Sequence, residues 1–256
     1  MGIEGNILGR RGWQHIFPEL IPQEELDPDR LQRQAIRPRR GQGDPDGGER
    51  PLAPVSPQNQ QVRATTLSVL NMHNHGELFV NLLRARKEIF IRAKGWELPE
   101  VDGMEFDQYD TPRARWIVLH EYGEVLGGVR LSPTTSQCGQ YSYMIRDAQD
   151  GLLDSIPQDV LFFKAPVRDD IWEATRLFLS AKLPAGRRME LQKLLLAHMA
   201  ATASELGARH VIGIVPAVFS RWMTRLGVMS AVPVGPVHHI DGEKTQAALM
   251  DVTGGA

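Results

Sequence analysis

The chain has one cysteine, no long apolar run and no surplus of either charge, and each shortage excludes a class of protein. With Cys138 alone, no disulfide can close within the chain and no multi-cysteine zinc site can form; no catalytic context surrounds the thiol, which reads as a bystander. Against 29 Lys and Arg stand 31 Asp and Glu, a net charge of −2 over 256 residues, so nothing draws a polyanion and no nucleic-acid partner is expected. No segment approaches the roughly 20 apolar residues of a membrane span. The opening MGIEGNILGRRGWQ also lacks the apolar core of a secretory signal. A cytoplasmic protein without stable membrane insertion is expected. The eight histidines are scattered without HxH, HExxH or EF-hand spacing, so no metal is expected. Neither GxGxxG after a strand nor GxxxxGK[ST] occurs, which removes the common nucleotide fingerprints.

What the chain does contain falls into two parts. Residues 1–62 are rich in Pro, Gly, Arg and Gln, as in RPRRGQGDPDGGERPLAPVSPQNQQ, and carry too little apolar surface to offset the entropy of ordering. They are expected to form a disordered extension, with WQHIFPELIP the one stretch able to dock on the domain or on a second copy. Residues 63–256 carry the patterns of a mixed α/β domain. Phe79, Leu82, Leu83, Arg86 and Phe90 lie at offsets 0, 3, 4, 7 and 11, one face of a helix. RWIVLHEYGEVLGGVRL predicts two strands turning near Tyr122 and Gly123, and DIWEATRLFLS a third. GRRMELQKLLLAHMAATASELGA predicts a helix ended by glycine, RHVIGIVP a buried strand, VFSRWMTRLG a helix, and the remainder a strand pair turning near Asp241 and Gly242. That order does not alternate as a doubly wound dinucleotide fold does; it predicts an acetyltransferase-like α/β/α sandwich with a mixed central sheet.

Several charges fall on apolar elements. Arg86 sits on the apolar helix stripe, where it either reaches an anion or packs its stem and sends its head to water. Asp107 and Asp110 lie three apart in GMEFDQYDTP. They could hold an organic cation, or cap a turn against a surface arginine. Arg130 ends the strand LGGVR, either facing a substrate or solvated at the sheet rim. Glu173 and Arg176 are three apart in IWEATRLFL, so a regular strand would send them to opposite faces; either a bulge turns both into one cleft or each pairs separately. Glu173 could act as a general base toward an amine if its cleft raised its proton affinity.

Laid side by side, RKEIFIRAKGW (Arg86, Phe90, Trp96), GMEFDQYDTP (Asp107, Asp110), GGVRLSPTT (Arg130) and WEATRLFL (Glu173, Arg176) resemble, in order, the acyl-homoserine-lactone synthases, the LuxI-type autoinducer synthases of quorum sensing. The resemblance runs over residues 78–252. It implies a GNAT-type fold and an acyltransferase that N-acylates S-adenosylmethionine, a co-substrate, and lactonises it with release of methylthioadenosine. No permanently bound cofactor is implied. The acyl donor would be acyl carrier protein or acyl-CoA, and self-association into a homodimer is left open. Arg86, Phe90, Trp96, Asp107 and Asp110 would bind S-adenosylmethionine, with Glu173, Arg130 and Arg176 as the catalytic group. Met144, Gln149 and Gly213 would border the acyl pocket. Two of these depart from the family pattern: Gln149 replaces an aromatic, and Gly213 stands where some members carry a threonine linked to 3-oxo chains, which favours an unsubstituted or unusual acyl group. LPAGRRME lacks the glycine-rich pyrophosphate loop of acetyl-CoA-using relatives, although Arg187 and Arg188 could meet a phosphate or simply be a solvated helix end. Related readings are an N-acyltransferase without lactonisation and a non-catalytic S-adenosylmethionine or acyl-thioester binding module.

Overall fold

The computed structural model describes residues 61–253, so the extension expected over residues 1–62 lies almost wholly outside the described residues. Val62 is already buried in the main core. Nine strands follow: β1 (Arg63–Leu67), β2 (Glu100–Val101), β3 (Met104–Glu105), β4 (Arg115–Glu121), β5 (Glu124–Pro133), β6 (Ile171–Leu179), β7 (His210–Pro216), β8 (Ser230–Ile240) and β9 (Glu243–Asp251). The helices are α1 (Leu78–Arg86), which continues as a π-helix over Lys87–Ala93, α2 (Met144–Gln149), α3 (Ala185–Glu205) and α4 (Phe219–Leu226). Seven strands form one sheet in the order β1-β4-β5-β6-β7-β9-β8, while β2 and β3 form a small separate hairpin. Only β6 and β7 run parallel; every other neighbouring pair is antiparallel. The expected mixed-sheet α/β/α sandwich is what forms.

Alternation along the strands decides which face each residue joins. On β4, Ile117 and Leu119 pack with Leu191, Leu195, Leu196 and Met199 of α3, while Trp116 and Val118 pack with Leu82 and Phe90 beneath α1. A third cluster, including Ile145 of α2, Phe163, Ile212, Val234 and Leu249, fills the space beside α1 on the same face. Helices α3 and α4 thus cover one face, and α1, α2 and the loop after α2 cover the other. No described helix is long and apolar enough to cross a membrane.

Three hairpins turn on a residue followed by glycine, both at positive φ: Asp102 and Gly103, Tyr122 and Gly123, Asp241 and Gly242. Positive φ at both central residues is the requirement of a type I′ turn, whose twist matches the strands it joins. The last two were legible in the sequence. The first was not, because its strands are two residues each. Strand β1 and helix α2 are likewise additions that the sequence patterns did not indicate.

Pairing between β6 and β7 covers only Ile171–Glu173 against His210–Ile212, after which the two strands follow different neighbours. Gly213 sits at the parting: a Cβ there would lie 2.8 Å from the carbonyl oxygen of Ala174, so the approach admits no side chain without a shift. Gly235 is held still more tightly in the irregular stretch of β8. A Cβ there would lie 1.9 Å from the Val160 carbonyl oxygen. Gly235→Ala is therefore expected to destabilise the domain by about 3 kcal/mol or more, read as a shifted urea midpoint.

Candidate active site

A cleft of about 1060 Å³ opens where β6 and β7 separate. Of the residues singled out in the sequence, Phe90, Trp96, Asp107, Met144, Arg176 and Gly213 line it. Arg86, Asp110, Arg130, Glu173 and Gln149 are not among its lining residues; they stand behind its wall.

Two local irregularities aim the lining groups. Beyond Arg86 the helix widens into a π-turn, with the backbone N–H of Lys94 donating to the Ile89 carbonyl and that of Trp96 to the Phe90 carbonyl. Phe90 and Trp96 then stack with ring centroids 5.1 Å apart and planes 22° apart, forming one aromatic wall. On β6 the register against β5 slips between Gly128 and Arg130, and Arg176 takes φ of +54°. This is the bulge that the three-residue spacing left as one of two options. It brings Arg176 to the side already occupied by Glu173 and Thr175.

Three guanidiniums meet three carboxylates at the wall, with Asp107 and Arg176 lining the cleft and the other four behind them. Arg86 donates from Nε to Glu105 Oε2 at 2.5 Å and from Nη1 and Nη2 to Asp110 at 2.7 and 3.0 Å. Arg130 donates to Thr175 Oγ1 at 2.9 Å, to both oxygens of Asp107 at 2.5 and 3.1 Å, and lies 2.9 Å from Asp110 Oδ1. Arg176 donates to Glu105 Oε1 at 3.2 Å and to Asp107 Oδ2 at 2.8 Å. Asp110 also accepts from Trp116 Nε1 at 2.9 Å and from the Asp107 backbone N–H at 3.0 Å. The Arg86, Glu105 and Asp110 side chains are essentially inaccessible to water.

Buried ions on this scale persist only when each is paired and hydrogen-bonded. Burial by itself would raise the pKa of Asp107 and Asp110, but Arg130 with Arg176 beside the first, and Arg130 with Arg86 beside the second, outweigh it and hold both below the ordinary carboxylate range. Burial opposes charge on Arg130 too, and Asp107 and Asp110 more than restore it. The acids expected to grip a substrate cation are thus occupied with fixing arginines, and Asp110 has no face left for a ligand. Because these oxygens are spent on guanidiniums, they offer nothing to a metal, and no group of three or more His, Cys, Asp or Glu among the described residues is arranged to hold one.

Two further expected residues have backbone partners instead of the cleft. Glu173, fully buried, accepts from the backbone N–H groups of Met144 at 3.0 Å and Ile145 at 2.8 Å, the first turn of α2. Burial pushes its pKa up to about 7, with those two N–H groups opposing the rise. Gln149, expected at the acyl pocket, donates to the Phe163 carbonyl at 2.8 Å and accepts from the Ala165 N–H at 2.7 Å. Both ends of its amide brace the loop after α2, which accounts for a polar residue at this half-buried position. Met144, carried on that helix, is the one that reaches the cleft. Glu105 was missed in the sequence. The available signal was its place two residues before Asp107, which on an extended backbone puts both on one side.

At its other end the cleft is lined by Lys94, Asp241 and Glu243, with Lys94 Nζ 3.1 Å from Glu243 Oε1. Arg188 on α3 also lines it, donating to the Ser180 carbonyl at 3.1 Å. Apolar walls come from Leu153, Ile156 and Ile214 on one side of the sheet and Leu195, Met199 and Phe219 on the other.

Comparison with known proteins bears on this geometry. The family model described as autoinducer synthase matches residues 70–255. An acyl-homoserine-lactone synthase of Ralstonia solanacearum is 31% identical over 177 residues, 67% of this chain and 80% of that protein. One of Pseudomonas chlororaphis is 31% identical over 178 residues, 68% of this chain and 80% of that protein. Among solved structures, TofI in a ternary complex with an inhibitor and MTA is 25% identical with a TM-score of 0.58, covering 76% of this chain and 93% of that one. The CoA-dependent acyl-homoserine lactone synthase BjaI, with SAM and isopentyl-CoA, shares the fold at 24% identity and a TM-score of 0.58, covering 74% of this chain and 82% of that one.

Glu173 gives a stability test with a definite sign. Its folded pKa, about 7, lies above an ordinary unfolded value near 4.5, so the folded state binds the extra proton between them. Stability from this group is therefore full below about pH 4.5 and falls as pH rises through 7, by roughly 3 kcal/mol at most. Chemical denaturation across that window should show the decline in wild type and its removal in Glu173→Gln.

Proposed function

The chain belongs to the autoinducer synthase family, and on that premise we propose that it is an acyl-homoserine-lactone synthase. It joins an acyl thioester to the amino group of S-adenosylmethionine, and the methionine carboxylate then attacks its own γ-carbon, closing the lactone and releasing methylthioadenosine. The observation that carries this reading is Arg176: a cleft-lining guanidinium fixed on two sides by acids and laid against an aromatic wall.

Arg176 donates from Nε and Nη2 to Glu105 and Asp107, and its guanidinium carbon lies 5.5 Å from the Phe90 ring centroid. Among the described residues Nη1 has no hydrogen-bond partner. A methionine carboxylate is the anion that fits there, and holding it also orients it for lactone closure. The stacked faces of Phe90 and Trp96 suit a sulfonium, since a ring quadrupole attracts a cation without needing a desolvated carboxylate. Asp107, Asp110 and Glu105 act by keeping Arg86, Arg130 and Arg176 charged and in place, a preorganised field that does not rearrange during reaction.

The thioester enters where β6 and β7 part. Strand edges that lack a sheet partner can hydrogen-bond an extended pantetheine arm as a strand would, with Gly213 leaving the backbone bare at the narrowest point. Met144 and the apolar walls receive the chain. Arg188 at the rim suits a phosphate of the donor, either coenzyme A or acyl carrier protein. Both co-substrates are cytoplasmic, and that is where the enzyme is expected to act.

The direct test is mass spectrometry of organic extracts from cells expressing the chain with isotope-labelled methionine. A labelled acyl-homoserine lactone is expected and names the acyl group. A labelled but open product would indicate acylation without ring closure, and no labelled product would overturn the synthase reading. In purified protein, Arg176→Lys loses the forked geometry. One charge-assisted hydrogen bond is worth about 1.5–3 kcal/mol, so kcat/KM for S-adenosylmethionine should fall about 10- to 100-fold, with steady-state kinetics and a thermal melt as the paired readouts.

A further inference from the structure

Of the buried carboxylates near the cleft, Asp147 and Glu173 have no paired arginine among the described residues, and of the two only Asp147 is hydrogen-bonded to a side chain of a cleft-lining residue. It is 1% exposed, and among the described residues no cation pairs with it. Its oxygens accept from the Ser142 backbone N–H at 3.0 Å, from Ser142 Oγ at 2.7 Å and from the phenolic hydroxyl of Tyr109 at 2.9 Å. Tyr109 is among the residues that line the cleft, and its own residue exposure is 5%. Its ring is pinned edge-on by Tyr141 at 6.3 Å and by the Arg130 guanidinium 5.6 Å from its centroid. The hydroxyl of a cleft-lining residue is thus bonded to a buried carboxylate that has no paired cation among the described residues.

Resting on the synthase reading, we propose that Tyr109 and Asp147 carry away the proton that the substrate ammonium must lose before it can attack. One N–H proton passes to Tyr109 Oη as the phenolic proton passes to Asp147 Oδ2, leaving Tyr109 neutral and Asp147 a carboxylic acid. The freed nitrogen lone pair attacks the thioester carbonyl carbon. The C–N bond forms, the C–S bond breaks, and the thiolate leaves with the electron pair, taking the second N–H proton released as the amide forms. Glu173 is less suited to this step, because both its oxygens are turned to the backbone of α2 and it does not line the cleft. Burial, then the neighbouring Asp147, raise the pKa of Tyr109 well above that of an ordinary phenol, so the hydroxyl passes the proton on and does not rest as phenolate. Asp147 is among the groups raising the Glu173 pKa.

The experiment compares wild type with Tyr109→Phe, Asp147→Asn and the double variant. The probes are hexanoyl and octanoyl groups offered on coenzyme A and on acyl carrier protein. Phenylalanine keeps the ring and removes the hydroxyl; asparagine keeps an acceptor for Tyr109 and Ser142 but cannot take the proton. Each single variant should lose about 100-fold or more in kcat with KM for S-adenosylmethionine within about threefold. Two links of one relay fail together, so the double variant should be no slower than the slower single one. The solvent deuterium isotope effect on kcat should change in the variants. Tyr109→Phe with kcat within about threefold of wild type, or a loss confined to KM, would make the pair a structural pin and overturn the relay. If Asp147→Asn does not fold, Tyr109→Phe decides alone. Wild type that forms no acyl-homoserine lactone from these donors or from any acyl group in the labelled extracts would refute the synthase reading itself, a result separate from an active wild type with an unaffected Tyr109→Phe.

Discussion

Everything at this site depends on the mutual neutralisation of three buried guanidiniums and three buried carboxylates. Arg86, Arg130 and Arg176 come from a helix and two strands, while Glu105, Asp107 and Asp110 come from one short hairpin and the turn after it. Removing any member leaves a partner charged in a place with little water, and a broken buried pair typically costs about 3–5 kcal/mol. The cluster therefore does two things: it ties the hairpin and its turn onto the sheet, and it fixes Arg176 without requiring substrate to do so. The Arg176 guanidinium is thus held in the cleft wall before any ligand arrives, within a cluster whose three positive and three negative charges balance.

Two backbone irregularities bring part of that cluster and two aromatic rings into the cleft wall. Without the π-turn after Arg86, Phe90 and Trp96 would not stack as one surface; without the bulge, Arg176 would point toward α3, away from Glu105 and Asp107. The cleft itself follows from a third feature, the divergence of the only parallel pair in the sheet after three residues of pairing. Antiparallel neighbours on either side hold β6 and β7 apart beyond that point, so the gap is built into the sheet and needs no lid to open it.

The same view changes the standing of individual acids. A carboxylate such as Asp110 is saturated by arginines and an indole N–H; one such as Asp147 is bound only by a serine and a tyrosine hydroxyl. Residue type does not separate these cases, and neither does distance along the chain. Asp107 and Asp147 are both buried aspartates that accept hydrogen bonds around Tyr109, one from its backbone N–H and one from its hydroxyl. Only their cationic neighbours, present in one case and lacking in the other, give them different chemistry.

The sequence by itself determined the class of fold, most of its strands and helices, the turns at Tyr122–Gly123 and Asp241–Gly242, and the group Arg86, Asp107, Asp110, Arg130 and Arg176. These rest on local period, turn chemistry and the anomaly of charge on apolar elements, all of which are written along the chain. It could not show β1, the two-residue strands or α2, since segments that short carry no periodic signal. Nor could it choose between a bulge and separate pairing at Arg176, because that depends on the register of β5. Whether an acid faces the cleft or stands behind it was decided only by tertiary structure. Gln149 bracing a loop, Glu173 capping the start of α2, Glu105 completing the arginine cluster and Asp147 bound to Tyr109 all depend on partners 14 to 71 positions distant. Hydrogen bonds and ion pairs at such separations are set by packing, which no local pattern encodes.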